Sequence, residues 1–379
     1  MVVGHLMVLL GFLWNTRAMT VGIPPKFRDE VANILNTKWP ESRQFFRVHD
    51  LEEIVGKLGR IGQAFRPIYY LMPQMYSSIA FALRQNNARL CSTSKKFRTM
   101  MKIVKRKSSE SSSSHDQRRA AFALKQTARQ VHKCKTLYRI PPSLTKELAF
   151  VKQFINDPSI KLETPIGHLV GDRCHEWEVA GDSCRGAGGG WSTDLRFWWY
   201  LGYIAEVVRR ANLQDNSSGI FIDINCLETV VVIINLAGTI VVCHEDGIDH
   251  SWLPILLNWC DNTAACSWIN KKCGGGLIAR ALGRLFIGLL MSTKISINAK
   301  WLSTYSNRIA DEISRVKKTG AEYDFSRLLL NFPQLQNCRR FTPSATLLTL
   351  IYDILLNKHS PDPIHVSGLA PQALGSLSS

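Results

Sequence analysis

The longest apolar stretch of the chain covers residues 224–242 and contains one charged side chain, that of Glu228. Its many β-branched residues have strand propensity, but a run of this length predicts a buried helix. A single carboxyl group inside such a run is costly unless it lies near the helix N-terminus, pairs with a cation or binds a metal. Glu228 is therefore the most informative acidic residue of the sequence.

Three shorter apolar segments within residues 177–202 are separated by turn signals and predict an antiparallel meander of three strands. The first segment carries Asp182, and the glycine-rich stretch 186–190 follows it as the turn. Asp182 has an ordinary explanation as a turn residue before glycine, and Asp172 is a competing candidate. We prefer Asp182 as a functional acid because it directly precedes the hairpin.

A fourth apolar segment, residues 255–260, ends at Asp261 and is followed by apolar residues at helical spacing. A buried strand that delivers a carboxylate at its C-terminal end is how open α/β sheets place functional groups. Asp261 also has a simpler explanation, because an acid at this position can cap the following helix. This segment alone leaves the two explanations open.

Residues 277–291 predict an amphipathic helix, with Arg280 and Arg284 one turn apart on a face away from the apolar side chains. The two arginines are candidates for phosphate contacts, although the exposed face of a helix is the favoured explanation. A last strand is predicted at residues 295–301. The helix after it carries Asp311 in its first turn, where an acid usually only complements the helix dipole.

The N-terminal region combines predicted strands and helices. Residues 1–14 are apolar, but no basic residue precedes the run and it is too short to span a bilayer. We therefore expect a core strand instead of a signal peptide. Residues 10–25 have the pattern of a β-hairpin with a turn at Asn15. Residues 26–83 are helical in pattern and place Lys57 and Arg60 on the polar side of one helix.

The formal net charge is +17, and one segment carries most of it. Residues 84–139 contain 16 Lys and Arg against two acids, which gives this segment a charge of +14. Such a basic surface can follow a phosphate backbone, and Lys105, Arg106 and Lys107 beside the serine-rich stretch 108–114 are candidate contacts. A solvated spacer would have the same composition, and the basic run could also be a nuclear localisation signal.

The ten cysteines contain no CxxC pair and no spacing typical of a zinc site. Several lie inside apolar runs, where a free cysteine behaves as a small hydrophobic residue. This usage indicates a reducing compartment. We expect an intracellular protein, cytoplasmic or nuclear and not secreted, with neither a disulfide framework nor a structural zinc.

Several motifs resemble those of retroelement reverse transcriptases. The pattern LGF, then NT, then Met19 and a proline resembles the junction of palm and thumb, and residues 51–67, LEEIVGKLGRIGQAFRP, resemble a thumb helix. Further along, GD…GGGWS, FWW, INCLE, DNTAA…WINKK and NRIADEISR resemble the ribonuclease H domain of DIRS-like retroelements. The two resemblances cover most of residues 1–100 and 171–317, in the order expected of such polyproteins.

The resemblance implies an α/β fold in which a ribonuclease H-like mixed sheet of five strands is flanked by helices and preceded by a mainly helical thumb and connection region. It also implies that the chain begins partway through a polymerase. The expected divisions are 1–30 as a remnant of the palm hairpin, 31–90 as a thumb-like region, 91–170 as a basic connecting region with a serine-rich linker, 171–317 as the ribonuclease H-like domain, and 318–379 as a helical extension with a flexible tail.

Carried across by motif, the resemblance implies four metal-binding catalytic acids: Asp182, Glu228, Asp261 and Asp311. Four converging carboxylates cannot all stay ionised unless cations neutralise them. Two Mg²⁺ ions, or Mn²⁺ in their place, would do so. The implied reaction is endonucleolytic hydrolysis of the RNA strand of an RNA–DNA hybrid, and the implied partner is this hybrid or another nucleic acid, with no membrane involved.

Two departures from the family pattern qualify this prediction. Many relatives have a histidine in the loop before the final helix, whereas the matching stretch AKWLSTYSN contains none. The chain also has no Asp-Asp pair, so DNA synthesis would need a separate polymerase partner that supplies the palm. The alternatives to an active nuclease are a catalytically dead nucleic-acid-binding remnant and an interaction protein that uses only its basic segment.

Overall fold

The computed structural model describes residues 5–106, 114–166, 175–213, 221–248, 254–271, 276–293, 295–316, 318–319, 322–323, 325–358 and 361–378. Within these ranges, residues 105–106, 114–120, 318–319 and 322–323 are described by their backbone only. The chain divides into two compact units. Unit 1 comprises Met1–Trp14 and Gly22–Glu163, and unit 2 comprises Asn15–Val21 and Thr164–Ser379.

Unit 1 is mainly helical, as its pattern predicts. Its α-helices are Pro25–Lys38, Val48–Ala64, Pro73–Thr93, Lys95–Arg106, Ser114–His132 and Pro142–Asn156, with a 3-10 helix at Arg66–Leu71 and paired short strands at Phe45–Phe46 and Tyr138–Arg139. The second helix buries apolar side chains that recur every three or four residues, among them Leu51, Ile54 and Leu58. This spacing places them on one face, which faces the core.

A four-stranded sheet contains the N-terminal strands. Its strands are Leu6–Leu9, Phe12–Asn15, Thr20–Gly22 and Glu163–Pro165, in that spatial order. The predicted hairpin is confirmed, and Asn15 Oδ1 holds its turn by accepting hydrogen bonds from the backbone N–H groups of Arg17 and Ala18 (3.1 and 2.9 Å). The predicted N-terminal strand is present, but the prediction that it lies in the core is wrong. Leu6–Leu9 lies at the edge of the sheet, and all four of its residues are exposed.

Unit 2 is built on a mixed seven-stranded sheet. Its strands in chain order are β1 Trp177–Ser183, β2 Ala187–Ser192, β3 Phe197–Gly202, β4 Ile255–Cys260, β5 Ser296–Trp301, β6 Arg339–Pro343 and β7 Gly375–Ser378. They lie side by side in the order β5-β4-β1-β2-β3-β6-β7. The predicted meander of β1, β2 and β3 is antiparallel, whereas β4 is parallel to both β1 and β5. The prediction that residues 186–190 form the turn is wrong, because residues 187–190 belong to β2 and pair with both neighbouring strands.

The helices of unit 2 include the predicted long apolar helix. They are α1 Ala205–Ala211, α2 Ile224–Glu245, α3 Thr263–Lys271, α4 Gly276–Met291, α5 Arg308–Ser314, α6 Ser326–Asn331, α7 Ala345–Leu355 and α8 Pro363–Ser367, with 3-10 helices at Pro333–Asn337 and Pro371–Ala373 and a small ladder of Lys318–Thr319 with Glu322–Tyr323. By length and composition α2 could cross a membrane, but it is buried inside unit 2. The core helix of a soluble protein meets the same criterion.

The sheet has seven strands instead of the five predicted. The two additional strands, β6 and β7, come from the C-terminal region, and β6 pairs in parallel with β3. The predicted flexible tail is also wrong, since it contains α8 and β7. Phe341 of β6 is fully buried and packs edge-to-face on Phe197 of β3, with ring centroids 6.3 Å apart. The C-terminal strands therefore complete the core of unit 2.

Candidate functional site

Asp182 is the penultimate residue of β1, and its side chain is buried, with only 3% of the residue exposed. Ser314, the last residue of α5, donates a hydrogen bond from Oγ to Asp182 Oδ2 at 2.6 Å. Burial raises the pKa of Asp182 to about 6. The negative charges of Asp261 and Asp311 add to the rise, and the hydrogen bond from Ser314 opposes it. A neighbouring cation would favour the ionised form of this carboxyl group.

Glu228 lies one turn into α2 and is also 3% exposed. Its carboxyl oxygens accept hydrogen bonds from the backbone N–H of Ser183 at 3.2 Å and from the thiol of Cys260 at 3.6 Å. Burial raises the pKa of Glu228 well above its usual range, and the charges of Asp182 and Asp261 raise it further. As the sequence indicates, this acid is held in surroundings that disfavour its charged form.

Asp261 directly follows β4, as predicted, but it does not cap the next helix. That cap is Asn262, whose Oδ1 accepts hydrogen bonds from the backbone N–H groups of Ala264 and Ala265 (3.0 and 2.9 Å). The carboxylate of Asp261 instead accepts a hydrogen bond from Thr304 Oγ1 at 3.1 Å. The side chain of Asp261 is therefore available for a role other than helix capping.

Asp311 lies in the first turn of α5, where it forms an ion pair with Arg315. The distance between Arg315 Nη2 and Asp311 Oδ1 is 2.7 Å. The hydrogen bond to Asp311 raises the pKa of Arg315, and the charges of Asp311 and Asp182 act in the same direction. Arg315 thus places a positive charge beside Asp311, at the end of α5.

The four predicted acids lie at one end of the sheet, but only Glu228 and Asp261 are close enough to share an ion, together with a third donor, Cys260. Since β1 and β4 are parallel neighbours, Asp182 near the end of β1 and Asp261 just after β4 lie at the same end of the sheet. The ligand atoms of Glu228, Cys260 and Asp261 all lie within 4.8 Å of one another. Asp261 and Asp311 both act electrostatically on Asp182, and Asp182 and Asp261 act on Glu228. We call these four acids the acidic cluster.

The acidic cluster contains the kind of side chains that bind divalent cations. Carboxylates are the ligands that Mg²⁺ and Mn²⁺ bind best, and a cation would offset the burial of two of them. One buried acceptor at the same end of β1, Asn307 Oδ1, has no hydrogen-bond partner among the described residues. The amide of this side chain donates from Nδ2 to the backbone oxygen of Gly181 at 3.0 Å. Among the described residues, the donors that could hold one ion together are those of Glu228, Cys260 and Asp261, whereas Asp182 and Asp311 lie outside this group.

In unit 1, the two predicted nucleic-acid contacts are engaged in internal interactions. Lys57 Nζ lies 2.5 Å from Glu30 Oε1. Arg60 donates a hydrogen bond to the backbone oxygen of Gly11 at 3.2 Å, and its guanidinium lies over the ring of Phe27, 4.7 Å from the centroid. These interactions neutralise Lys57 and hold Arg60 against the N-terminal strands.

In unit 2, the two predicted contacts on α4 differ from each other. Arg280 is partly exposed and donates from Nε to the backbone oxygen of Gly276 at 3.0 Å. Arg284 is only 8% exposed, so the prediction of an exposed helix face is wrong for this residue, and a surface phosphate could not reach it directly. The side chain is buried, although the spacing of apolar residues places it on the exposed face of the helix.

The remaining sequence candidates fall partly outside what the structure describes. Lys105 and Arg106 end the helix Lys95–Arg106, and only their backbone is described. Lys107 and Asp172 lie outside the described residues. Their roles as candidate contacts stay predictions.

Sequence reasoning missed several uncharged side chains that surround the acidic cluster. Cys260 and Thr304 donate to Glu228 and Asp261, and Trp301 donates from Nε1 to the backbone oxygen of Asp261 at 3.0 Å. A search limited to acids passes over such groups. Cys260 had one usable signal, which is its position at the end of a buried strand, immediately before an acid.

Comparison with known proteins identifies no relative. No protein-family model matches the sequence, and neither a curated protein nor a solved structure matches the chain.

Proposed function

We propose that unit 2 hydrolyses the RNA strand of an RNA–DNA hybrid with the help of divalent metal ions, as part of a retroelement reverse transcriptase. The observation that supports this most directly is the acidic cluster, in which Glu228 and Asp182 are buried and Asp261 lies at the same end of the sheet. The acids follow one another on a first strand, a long helix, a fourth strand and a late helix. This is the order that the resemblance to ribonuclease H implies.

The sheet supports the same proposal. Its first five strands combine an antiparallel meander with two parallel strands, β4 and β5, and this is a mixed sheet as the resemblance requires. The two C-terminal strands extend it on the far side of β3 from β4 and β5. Among the described residues, no further strand lies between β1 and β4, so this extension is compatible with a ribonuclease H-like site.

Two bound Mg²⁺ ions would supply activation of a water molecule and stabilisation of the departing 3′ oxygen of a phosphodiester. Burial raises the pKa values of Asp182 and Glu228, so these carboxyl groups hold their protons more firmly than exposed ones do, and a bound cation would have to displace those protons. Ser314 and Arg315 fix the orientations of Asp182 and Asp311. Binding should therefore release protons.

The basic segment of unit 1 supports a polyanionic partner. The helix Lys95–Arg106 contains six Lys and Arg and no acid. Contacts between such side chains and phosphates are independent of sequence and weaken with salt. They would hold a hybrid without selecting its sequence, and the ribose 2′-OH would identify the strand to be cut.

The test is an assay of Mg²⁺-dependent cleavage on matched labelled substrates: an RNA–DNA hybrid, a DNA duplex and an RNA duplex of one sequence. We expect cleavage of the RNA strand of the hybrid, with 5′ phosphate ends, and no cleavage of the DNA duplex. Chelation of divalent ions should abolish the reaction. Equal cleavage of all three substrates, or cleavage that persists in excess chelator, would refute the proposal.

The second candidate function is nucleic-acid binding without cleavage. Two observations favour it: Asp311 is already paired with Arg315, and the loop before α5 contains no histidine. This candidate predicts salt-sensitive binding of hybrid with no products in Mg²⁺ or Mn²⁺. A third candidate, binding by the basic segment alone, predicts no preference for hybrid over DNA duplex.

The proposal also concerns partners and location. Without a pair of adjacent aspartates in the chain, DNA synthesis would require a polymerase partner that supplies the palm. An RNA–DNA hybrid would be met inside the cell, in the cytoplasm or the nucleus. Co-purification of hybrid-synthesising activity with the full chain would be the sign of such a partner.

A further inference from the structure

The thiol of Cys260 lies inside the acidic cluster, but the proposed hydrolysis does not use it. Cys260 is the last residue of β4 and is 1% exposed. Its Sγ lies 3.6 Å from Glu228 Oε2. Three ligand atoms lie within 4.8 Å of one another, one each from Glu228, Cys260 and Asp261. This group of donors combines one sulfur with two carboxylates. It is therefore chemically different from the all-oxygen set that suits Mg²⁺.

The separation of these donors fits a small tetrahedral ion. In zinc sites the metal–sulfur distance is about 2.3 Å and the metal–oxygen distance about 2.0–2.2 Å, so sulfur and oxygen ligands lie roughly 3.5 Å apart. The observed 3.6 Å between Cys260 Sγ and Glu228 Oε2 is close to this value. Asp261 is only partly buried and offers the ion a route from solvent.

We propose that Glu228, Cys260 and Asp261 form a binding site for a thiophilic divalent cation of the zinc class. The metal–sulfur bond forms as the thiol proton passes to solvent water, and the ion takes the place of the hydrogen bond between Cys260 and Glu228. The ligands come from a helix, a strand end and the residue after it. For this reason the spacing of cysteines in the sequence gives no sign of the site.

Occupation by such an ion has a regulatory consequence, which rests on the proposed function. Glu228 and Asp261 would be held by the thiophilic ion and would no longer be available to Mg²⁺. Because zinc-class ions bind mixed N, O and S sites more tightly than Mg²⁺ does, low concentrations would inhibit hydrolysis in excess Mg²⁺. Metal binding itself does not depend on the chain being a nuclease.

The test uses Cd²⁺ as the probe, because a cadmium–thiolate bond gives an ultraviolet charge-transfer band. The metal-free full chain is titrated with Cd²⁺ while absorbance and binding heat are measured. We expect a band that the variant Cys260→Ser lacks, with affinity lowered by more than about 100-fold, since changes to residues that only support metal ligands already cost 10–100-fold. The control is Cys243→Ser, which changes an equally buried cysteine at the far end of α2 and should keep the band.

A second variant keeps the test decisive if Cys260→Ser does not fold. Glu228→Gln retains the sulfur, so the band should persist at saturation while the affinity falls at least about tenfold. A wild-type protein without the band, a band that survives in Cys260→Ser, or an unchanged affinity in Glu228→Gln would overturn the proposal. Hybrid cleavage without Cd²⁺ binding would refute this site alone, and Cd²⁺ binding without cleavage would refute only the nuclease.

Discussion

Asp261 and Asn262 are adjacent residues of similar size, but their side chains have different hydrogen-bond partners. Asn262 caps α3 through its Oδ1, whereas Asp261 turns its carboxylate to Thr304. We expect Asn262→Ala to lower the free energy of unfolding by about 1 kcal/mol, because it removes a helix cap. Asp261→Asn should change stability little in metal-free buffer. Urea unfolding of both variants checks this, and a larger loss for Asp261→Asn would contradict the assignment of the cap.

The buried acid Asp182 makes stability depend on pH. Its pKa of about 6 in the folded protein lies above the ordinary value of 3.8, so its protonated form contributes stability at low pH that is lost as the pH rises through 6. Without metal, Asp182→Asn should therefore be more stable than the wild type by about 2–3 kcal/mol at pH 8, and this gain should shrink toward pH 4. Urea unfolding in chelator at several pH values measures it.

The control for this prediction is Asp353→Asn, which changes a partly exposed carboxylate of α7. Its effect on the free energy of unfolding should be small, because this side chain is partly exposed. A constant effect of Asp182→Asn across the same range would show that burial does not govern this acid. Added Mg²⁺ should stabilise the wild type more than Asp182→Asn, because the variant lacks one of the proposed ligands.

At the scale of elements, hydrophobic patterning predicted the strands β1, β3, β4 and β5 and the helix α2 close to their observed bounds. Period and length decide such segments when one face or both faces are buried. β6 and β7 were missed because each is short and holds few apolar residues. The strand Leu6–Leu9 was predicted correctly but assigned to the core, since an apolar run does not tell an edge from a centre.

The contact between β2 and α5 sets the position of Asp311. A Cβ atom on Gly189 of β2 would lie 2.4 Å from Ile313 Cγ2 and 3.1 Å from the backbone nitrogen of Ser314. We expect Gly189→Ala to push α5 away from the sheet, to cost about 1–3 kcal/mol of stability and to slow hybrid cleavage. Thermal unfolding and the cleavage rate measure the two effects.

Gly186→Ala is the matched control for this contact. A Cβ atom there meets nothing closer than Cys184 Sγ at 3.9 Å, so both stability and cleavage should stay close to those of the wild type. Equal effects of the two alanines would mean that the approach of α5 to β2 is unimportant. The expected difference connects the packing of one glycine to the orientation of Ser314 and Asp311.

At the scale of the whole molecule, the C-terminal strands make unit 2 larger than the motifs predict. The motifs end near residue 317, but β6 and β7 contribute the buried Phe341 and cover β3. We expect a chain that ends at residue 317 to lose cooperative unfolding, because Phe197 of β3 and Gly238 of α2 would lose the ring that packs on them. Circular dichroism during thermal unfolding tests this, and a truncated chain as stable as the full one would contradict it.

The sequence predicts those acids of the candidate site that stand alone among apolar residues. Glu228 stands alone in an apolar helix and Asp261 directly follows an apolar strand, so both could be recognised from pattern and motif. The partners of these acids could not, because Cys260 and Thr304 are ordinary residues until the chain folds. The burial of Arg284 was not predicted either, because a charged residue on a helix is usually exposed.

The most direct test of the central claim compares Asp261→Asn with Asn262→Ala in Mg²⁺-dependent cleavage of a labelled RNA–DNA hybrid. Both variants change one residue of the same turn, but only Asp261 is a proposed metal ligand. The account predicts that Asp261→Asn slows cleavage by more than about 100-fold, while Asn262→Ala cleaves at a rate close to that of the wild type. No cleavage by the wild-type protein, or equal rates for the wild type and Asp261→Asn, would contradict it.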